Sequence, residues 1–206
     1  MSQYFYVHPD NPQLRLIRQA VSMVREGAVI AYPTDSAYAL GCHLGDKHAL
    51  ERIVRIRELG DRHNFTLLCR DLSEIATYAK VDNATYRLLK AVTPGAYTFI
   101  LVATSEVPRR ILHPKRKTIG IRVPDNVICQ TLLAELNEPL LTTTLQLPGD
   151  PDPLSDPEEI RERVGSRLDL VIDGGHGTLQ PTTVVDLTGD SPEILREGRG
   201  DPAPFR

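Results

Sequence analysis

The sequence predicts an α/β protein, a twisted mixed sheet that stays open and is flanked by helices. Two observations carry that class. Short apolar runs rich in β-branched residues alternate with stretches whose apolar residues recur every three to four positions, the periods of strand and helix. Pro, Gly, Asp or Asn stand at nearly every junction between them. The alternation is too uneven for a simple parallel wind, so a mixed sheet is expected.

Each element has a local reason. Asn11-Pro12 reads as a helix cap followed by a first-turn proline. Leu14, Ile17, Val21 and Val24 then share one helical face, and Gly27 closes the helix as a left-handed residue. Ala28 to Tyr32 is a buried strand that stops at Pro33, which offers no ladder donor. Thr34, Asp35 and Ser36 follow at the strand's carboxyl end, where open α/β sheets bind ligands. The same three residues also suit an ordinary turn. Asp46 caps a helix to about Leu59, closed by Gly60, with Leu50, Ile53 and Val54 buried and Arg57 emerging beside that face. Phe65 to Cys69 is a strand. Asp71 and Glu74 have capping-box spacing before a helix carrying Leu72, Ile75 and Ala79.

Asp82 begins the next helix, which ends before Thr93-Pro94-Gly95. Tyr97 to Ala103 is a strand. Thr104 to Lys117 is irregular and carries Arg109, Arg110, His113, Lys115, Arg116 and Lys117. Thr118 to Val123 is a strand closed by Pro124, and Asp125 caps a helix with Val127, Leu132, Leu133 and Leu136. Pro139 to Thr144 is a strand ending in three threonines. A Pro/Asp loop from Gly149 to Pro157 leads into a short helix, Ser155 to Val164. Leu168 to Ile172 is a buried strand, and Asp173-Gly-Gly-His-Gly177 a tight turn. Thr183 to Leu187 and Ile194 to Arg196 are the last strands.

Composition bounds the function. The chain has 206 residues, 41% of them hydrophobic, and no Gly/Ser linker or charge block divides it. One domain, 1–206, is expected, with an exposed Gly/Pro-rich tail from about Glu197. No run approaches the ~20 apolar residues of a membrane span. Met1 to Tyr6 lacks the pattern of a signal peptide, so a cytoplasmic protein without membrane association is expected. A monomer is the expected state. Cys42, Cys69 and Cys129 are odd in number and widely spaced, which argues against a disulfide framework. No Cys-x-x-Cys or His-x-x-x-His pair occurs, so no structural metal is expected. The net charge of −3 announces no global affinity for nucleic acid, so any anion-binding surface must be local.

Candidate chemistry comes from hydroxyls and arginines. Thr34 and Ser36, then Thr142, Thr143 and Thr144, then Thr182 and Thr183 stand at strand ends beside Pro or Gly. Hydroxyls donate and accept hydrogen bonds, which suits phosphate, carboxylate and base edges; threonine is also simply a good strand former. Arg57, Arg122 and Arg196 each adjoin a different apolar element, and a guanidinium binds carboxylate or phosphate in two parallel bonds. The basic Arg109 to Lys117 stretch is a phosphate or RNA loop or a solvated one, with few aromatics to stack on bases. Asp173-Gly-Gly-His-Gly177 lacks a phosphate loop's glycine order and closing Lys-Ser/Thr. No Gly-x-Ser-x-Gly elbow marks Ser36 as a nucleophile. The residues themselves therefore point to an arginine-lined polar cavity for an anionic ligand.

Four stretches together resemble the YrdC/YciO family, which includes the threonylcarbamoyl-AMP synthases, and within it the YciO branch. They are Ala31-Tyr-Pro-Thr-Asp-Ser-Ala-Tyr-Ala-Leu-Gly-Cys42, Ile119-Gly-Ile-Arg-Val-Pro124, Asp169-Leu-Val-Ile-Asp-Gly-Gly175, and Pro181-Thr-Thr-Val-Val-Asp186 with Ile194-Leu-Arg-Glu-Gly198. The resemblance implies a large, positively charged concave surface. It implies affinity for ATP with Mg2+ or another nucleotide, and for tRNA, rRNA or double-stranded RNA. The synthases join threonine, bicarbonate and ATP into threonylcarbamoyl-adenylate, whose carbamoyl-threonine modifies adenosine 37 of tRNA.

By the same resemblance Thr34 matches the hydroxyl of the threonine site, Arg122 the arginine for the amino acid's carboxylate, and Thr182 a Ser/Thr position beside it. Thr118 and Arg196 match nucleotide contacts. The synthases' Lys-x-Arg pair falls on Arg57-Glu58-Leu59, and their Ser-x-Asn on Thr144-Leu145-Gln146. One positive charge is missing and one amide is a carbon longer. A reach error of roughly 1 Å can cost about a hundredfold in rate. Three outcomes are weighed, in order: a nucleotide- and RNA-binding protein whose synthase activity is weak, absent or redirected, with Arg57 its candidate catalytic residue; an active synthase that tolerates both changes; or a pure RNA-binding or assembly factor with a vestigial pocket.

Overall fold

The computed structural model describes residues 1–60 and 63–206. Its strands are β1 (Gln3–Tyr6), β2 (Ile30–Tyr32), β3 (Ala39–His43), β4 (Thr66–Leu68), β5 (Tyr97–Val102), β6 (Thr118–Arg122), β7 (Leu140–Thr144), β8 (Leu170–Asp173), β9 (Thr183–Asp186) and β10 (Glu193–Arg196). They form a single sheet in the order β1-β8-β2-β3-β7-β4-β6-β5-β9-β10. The β1–β8, β8–β2, β4–β6 and β5–β9 pairs are parallel and the others antiparallel. The expected open mixed sheet is therefore present.

The helices are α1 (Leu14–Arg25), α2 (Lys47–Arg57), α3 (Leu72–Tyr78), α4 (Asn83–Val92), α5 (Val127–Leu136) and α6 (Pro157–Val164). Helices α2, α3, α4 and α6 pack on one face of the sheet, over Leu40, Leu67, Phe99, Ile121 and Leu141. Helices α1 and α5 pack on the other face, over Phe5, Ile30, Tyr32, Leu170 and Ile172. A strand sends successive side chains to opposite faces, so each strand feeds both layers.

The caps follow the sequence in part. Asp46 and Asp82 accept from Ala49 N and Thr85 N, as their spacing predicts. Asp71 accepts from Glu74 N at 3.1 Å. The Glu74 carboxylate accepts from Arg70 N, one residue before the cap itself.

Three terminal assignments are corrected. α1 is capped at Gln13 with no side-chain bond, so Asn11 lies outside the helix, and Leu14 is exposed. Asn126, not Asp125, caps α5 by accepting from Cys129 N at 3.0 Å. The Asp125 N–H is instead held 2.8 Å from the Asp35 carboxylate, which keeps Asp125 in the preceding turn. At the end of α2 the left-handed residue is Glu58, with φ 51°, rather than Gly60.

The C-terminal segment is also tighter than its composition predicts. Most of its side chains are exposed, but Phe205 is buried against Tyr97 and Phe99. The Thr183 hydroxyl donates to Gly200 O at 2.5 Å, and Tyr97 OH donates to Asp201 O at 3.2 Å. One buried aromatic ring outweighs the flexibility of the surrounding glycines and prolines.

Candidate functional site

Helices α1 and α5 cover the β1-β8-β2-β3 side of their face and, beyond it, the Leu140 end of β7 and the Leu68 end of β4. The same face of β7, β4, β6, β5 and β9 carries Thr142, Thr66, Gly120, Arg122, Thr98 and Val184, and a cleft of about 480 Å³ opens over it. Thr142, Thr66, Gly120 and Ile100 lie side by side across four neighbouring strands. Gly120 keeps this floor low. A methyl group there would come within 2.7 Å of Thr66 Oγ1 and 3.2 Å of Phe65 O.

The cleft gathers Arg57 from the end of α2, Arg122 from β6 and Arg196 from β10. Arg122 is only 6% exposed. Its Nη2 donates to Asp35 Oδ1 at 2.6 Å and to Ser36 Oγ at 3.2 Å. Its Nε, and that of Arg57, are buried without a hydrogen-bond partner among the described residues. A buried donor left unbonded costs about 1–3 kcal/mol, and more on a charged group. Arg57 Nη1 donates to Gln146 O at 2.7 Å. Burial pushes the Arg57 guanidinium down from its ordinary value, yet an arginine stays charged at any ordinary pH.

Arg196 donates Nε and Nη2 to Thr182 O at 3.1 and 2.9 Å, which fixes its plane. Burial first, then the charge of Arg122, lowers its proton affinity. Two cations held close enough to disfavour one another are relieved by an anion between them. Thr182 Oγ1 and Thr98 Oγ1 share a hydrogen bond of 2.7 Å.

Of the residues singled out in the sequence, Arg57, Arg122, Thr144, Gln146, Thr182 and Arg196 line this one cleft. Thr34 does not line it. Its hydroxyl donates to Ala37 O at 2.7 Å and accepts from Ser36 N at 3.0 Å, an internally bonded turn. It borders a neighbouring hollow with Asp35 and Asp125, and reaches Arg122 only through Ser36 Oγ. Thr118 is buried on the same strand as Arg122, opposite Val102 and away from the cleft. The Gln146 amide donates to Asp150 O and Pro151 O at 3.0 and 3.1 Å, pinning the loop that forms one rim.

None of Arg109 to Lys117 lines the cleft. Arg110 binds Gly45 O, while Arg116 binds Asp186 and Thr188. Burial raises the Asp186 carboxyl, but the bonds from Thr188 and Arg116 outweigh it and leave the group below its ordinary value. Arg109, Lys115 and Lys117 are exposed.

Sequence reasoning missed His63, Thr66, Thr98 and Asp152, which also line the cleft. A hydroxyl set between Tyr97 and Phe99, at Thr98, was the available signal; nothing local marks His63. Among the described residues no cluster of three or more His, Cys, Asp or Glu could hold a metal ion. All three cysteines are free and buried. No helix among the described residues is long and apolar enough to cross a membrane.

The family model for Sua5, YciO and YrdC proteins, described as "Telomere recombination", matches residues 22–198. The chain belongs to the Sua5/YciO/YrdC family. It is 62% identical to the uncharacterized protein YciO of Escherichia coli K12 over the whole of both chains, and superimposes on the crystal structure of E. coli YciO with a TM-score of 0.97. It is more distantly related to threonylcarbamoyl-AMP synthases. That of Nitrosococcus oceani is 32% identical over 89% of this chain and 93% of its own. The Pyrococcus abyssi Sua5 crystal structure, a complex with L-threonine, is 27% identical with a TM-score of 0.87, over 96% of this chain and 58% of that one.

Proposed function

We propose that this family member binds a nucleotide, ATP with Mg2+, in the arginine-lined cleft, with synthase-type chemistry that is weak, absent or redirected. The observation that carries the reading is the pair of buried guanidinium Nε–H groups, on Arg57 and Arg122, with no acceptor among the described residues. Phosphate or carboxylate oxygens are the acceptors that match them, each charge-assisted bond adding about 1.5–3 kcal/mol. Asp152 is the one carboxylate lining the cleft among the described residues. Mg2+ coordinates oxygen and keeps several waters, so it enters on the phosphates rather than in a protein cage.

The weakened chemistry rests on two residues. Arg57 stands where the synthases have lysine. Leu59 stands where they have arginine, and it lines a groove bordered by Lys47, Arg55 and Arg110 rather than the cleft. One favourable charge is thereby missing opposite the developing phosphate charge. The alternative, an active threonylcarbamoyl-AMP synthase, is favoured by Arg122 and Thr182 in the same cleft, where a threonine carboxylate and hydroxyl find partners. RNA binding, double-stranded RNA included, is proposed through the exposed Arg109, Lys115 and Lys117. Its affinity should fall steeply with salt as phosphate contacts release counterions.

The test supplies the purified protein with threonine, bicarbonate and magnesium-ATP, scores pyrophosphate and adenylate, and measures ATP binding by calorimetry. ATP binding without turnover is the expected outcome. Turnover in the usual enzyme range overturns it in favour of the synthase. The double variant Arg57→Lys/Leu59→Arg should then raise turnover. A folded, ATP-bound double variant that stays inert excludes the missing pair as the cause.

A further inference from the structure

One titratable group in the cleft wall has no role in the nucleotide reading. His63 Nε2 lies 3.1 Å from the Thr143 hydroxyl, and its ring stands edge-on to Phe65 with centroids 5.0 Å apart. On one side His63 faces the cleft, with Arg57, Arg122, Arg196 and, among the described residues, a single carboxylate, Asp152. On the other it borders the groove that contains Lys47, Glu51, Arg55 and Arg110. Thr143 and Phe65, which touch the ring, carry no charge. Among the described residues, cations thus outnumber carboxylates on both sides of the imidazole. Burial, and after it the charge of Arg57, lowers its affinity for a proton to about 4.

We propose that His63 is a further anion ligand of the cleft, one that takes up a proton from solvent as a phosphate or sulfate settles against Arg57. The inference rests on the cleft being an anion site. An arriving anion offsets the Arg57 charge that keeps the ring neutral and adds an opposite charge of its own. Both nitrogens of a protonated imidazole donate. Nε2 then donates to the Thr143 hydroxyl, which accepts, and Nδ1, with no partner among the described residues, is left for the anion or a bridging water. A lysine in this place would stay charged and keep its hold on products. His63 discharges when the anion leaves, so the cleft grips a highly charged ligand more strongly than a weakly charged one.

The sign follows from linkage. Binding raises the ring's proton affinity, so protons are taken up with the anion, and anion affinity strengthens as pH falls toward about 4. The experiment is an NMR titration of the His63 ring with and without saturating sulfate, a probe whose own charge stays constant over this range. The midpoint should sit near 4 without sulfate. It should rise by about one pH unit or more with sulfate, and by a smaller amount without sulfate in Arg57→Gln, since burial is the larger cause of the depression.

In His63→Asn, sulfate should still bind but lose most of its pH dependence. Sulfate that perturbs Arg57 yet leaves the His63 midpoint in place overturns this proposal and spares the anion site. Sulfate that fails to bind overturns the anion-site reading as well. An unmoved midpoint in Arg57→Gln overturns the coupling between the two residues.

Discussion

One sheet face is built in two ways. Over β1, β8, β2 and β3 it carries Phe5, Ile30, Tyr32, Leu170 and Ile172, sealed by Ile17 and Val21 of α1 and Leu132 and Leu133 of α5. Over β7, β4, β6, β5 and β9 it carries Thr142, Thr66, Gly120, Thr98 and Arg122, and forms a cleft floor instead. Both halves obey the same alternation of side chains. The difference is that burying apolar surface draws a helix down, whereas a face of hydroxyls and guanidinium groups gives a helix nothing to bury. Stability and binding should therefore separate between the halves.

The largest effect belongs to the sealed half. Leu132 is fully buried, and Leu132→Ala should cost about 2–5 kcal/mol of stability, seen as a lower midpoint in denaturant. Anion affinity of the folded variant should not change. An equal loss of affinity would show that the halves are energetically one unit. Next comes Arg57→Gln, in the open half. It should weaken ATP by roughly tenfold to a hundredfold, the 1.5–3 kcal/mol range of a charge-assisted bond. Thermal stability should hold or rise, because a buried donor without a partner is removed. A large stability loss with intact binding would mean that the Arg57 bond to Gln146 O is structural.

Much of the sealed half is legible in the sequence because its signals are local. Ile17, Val21 and Val24 repeat at helical spacing, and on the opposite face of the sheet Asp46 and Asp82 cap the helices that follow them, equally local signals. The exceptions are tertiary. Asp125 loses the cap to Asn126 because its N–H is held by Asp35, ninety residues away. The tail is fastened because Phe205 finds Tyr97 and Phe99. The open half is legible only in part. Arg57, Arg122, Thr182 and Arg196 were recognisable by type, and the fold brings them together. Thr34 was placed in the same hollow, but its hydroxyl satisfies its own turn. His63 could not be found from spacing, since what gives it a role is Thr143 on a strand eighty residues later.

A smaller effect tests how shallow the cleft floor can be. Gly120→Ala places a methyl group against Thr66 Oγ1 and Phe65 O, and the second of these is a backbone atom held in the sheet. Overpacking of this kind costs about 1–3 kcal/mol. It should also raise the floor beneath the ligand, so ATP affinity should fall in the same variant. Thr66→Ala/Gly120→Ala removes the Oγ1 contact and leaves the 3.2 Å contact with the Phe65 backbone carbonyl, so it should restore only part of the lost stability. Unchanged affinity in a destabilised Gly120→Ala would show that the ligand does not reach the floor.

The smallest effect is on the acid limb of stability, and it ties stability to the cleft through one ring. The proton affinity of His63 in the folded chain is depressed from 6.5 to about 4. Between those values the unfolded chain holds the proton and the folded chain does not, so stability rises with pH across that window. The contribution is complete above 6.5 and is lost as pH falls toward about 4. A full proton would give about 1.4 kcal/mol per pH unit, and partial exposure of the ring screens it to less.

His63→Asn should therefore flatten the acid limb, with denaturation midpoints that fall less than those of wild type as pH drops from 6.5 to about 4. Sulfate should flatten it in wild type too, because an anion against Arg57 lets the folded state keep the proton. A limb that keeps its slope in His63→Asn assigns the acid sensitivity to other groups. A limb that responds to the substitution but not to sulfate leaves His63 buried by the fold and uncoupled from the cleft.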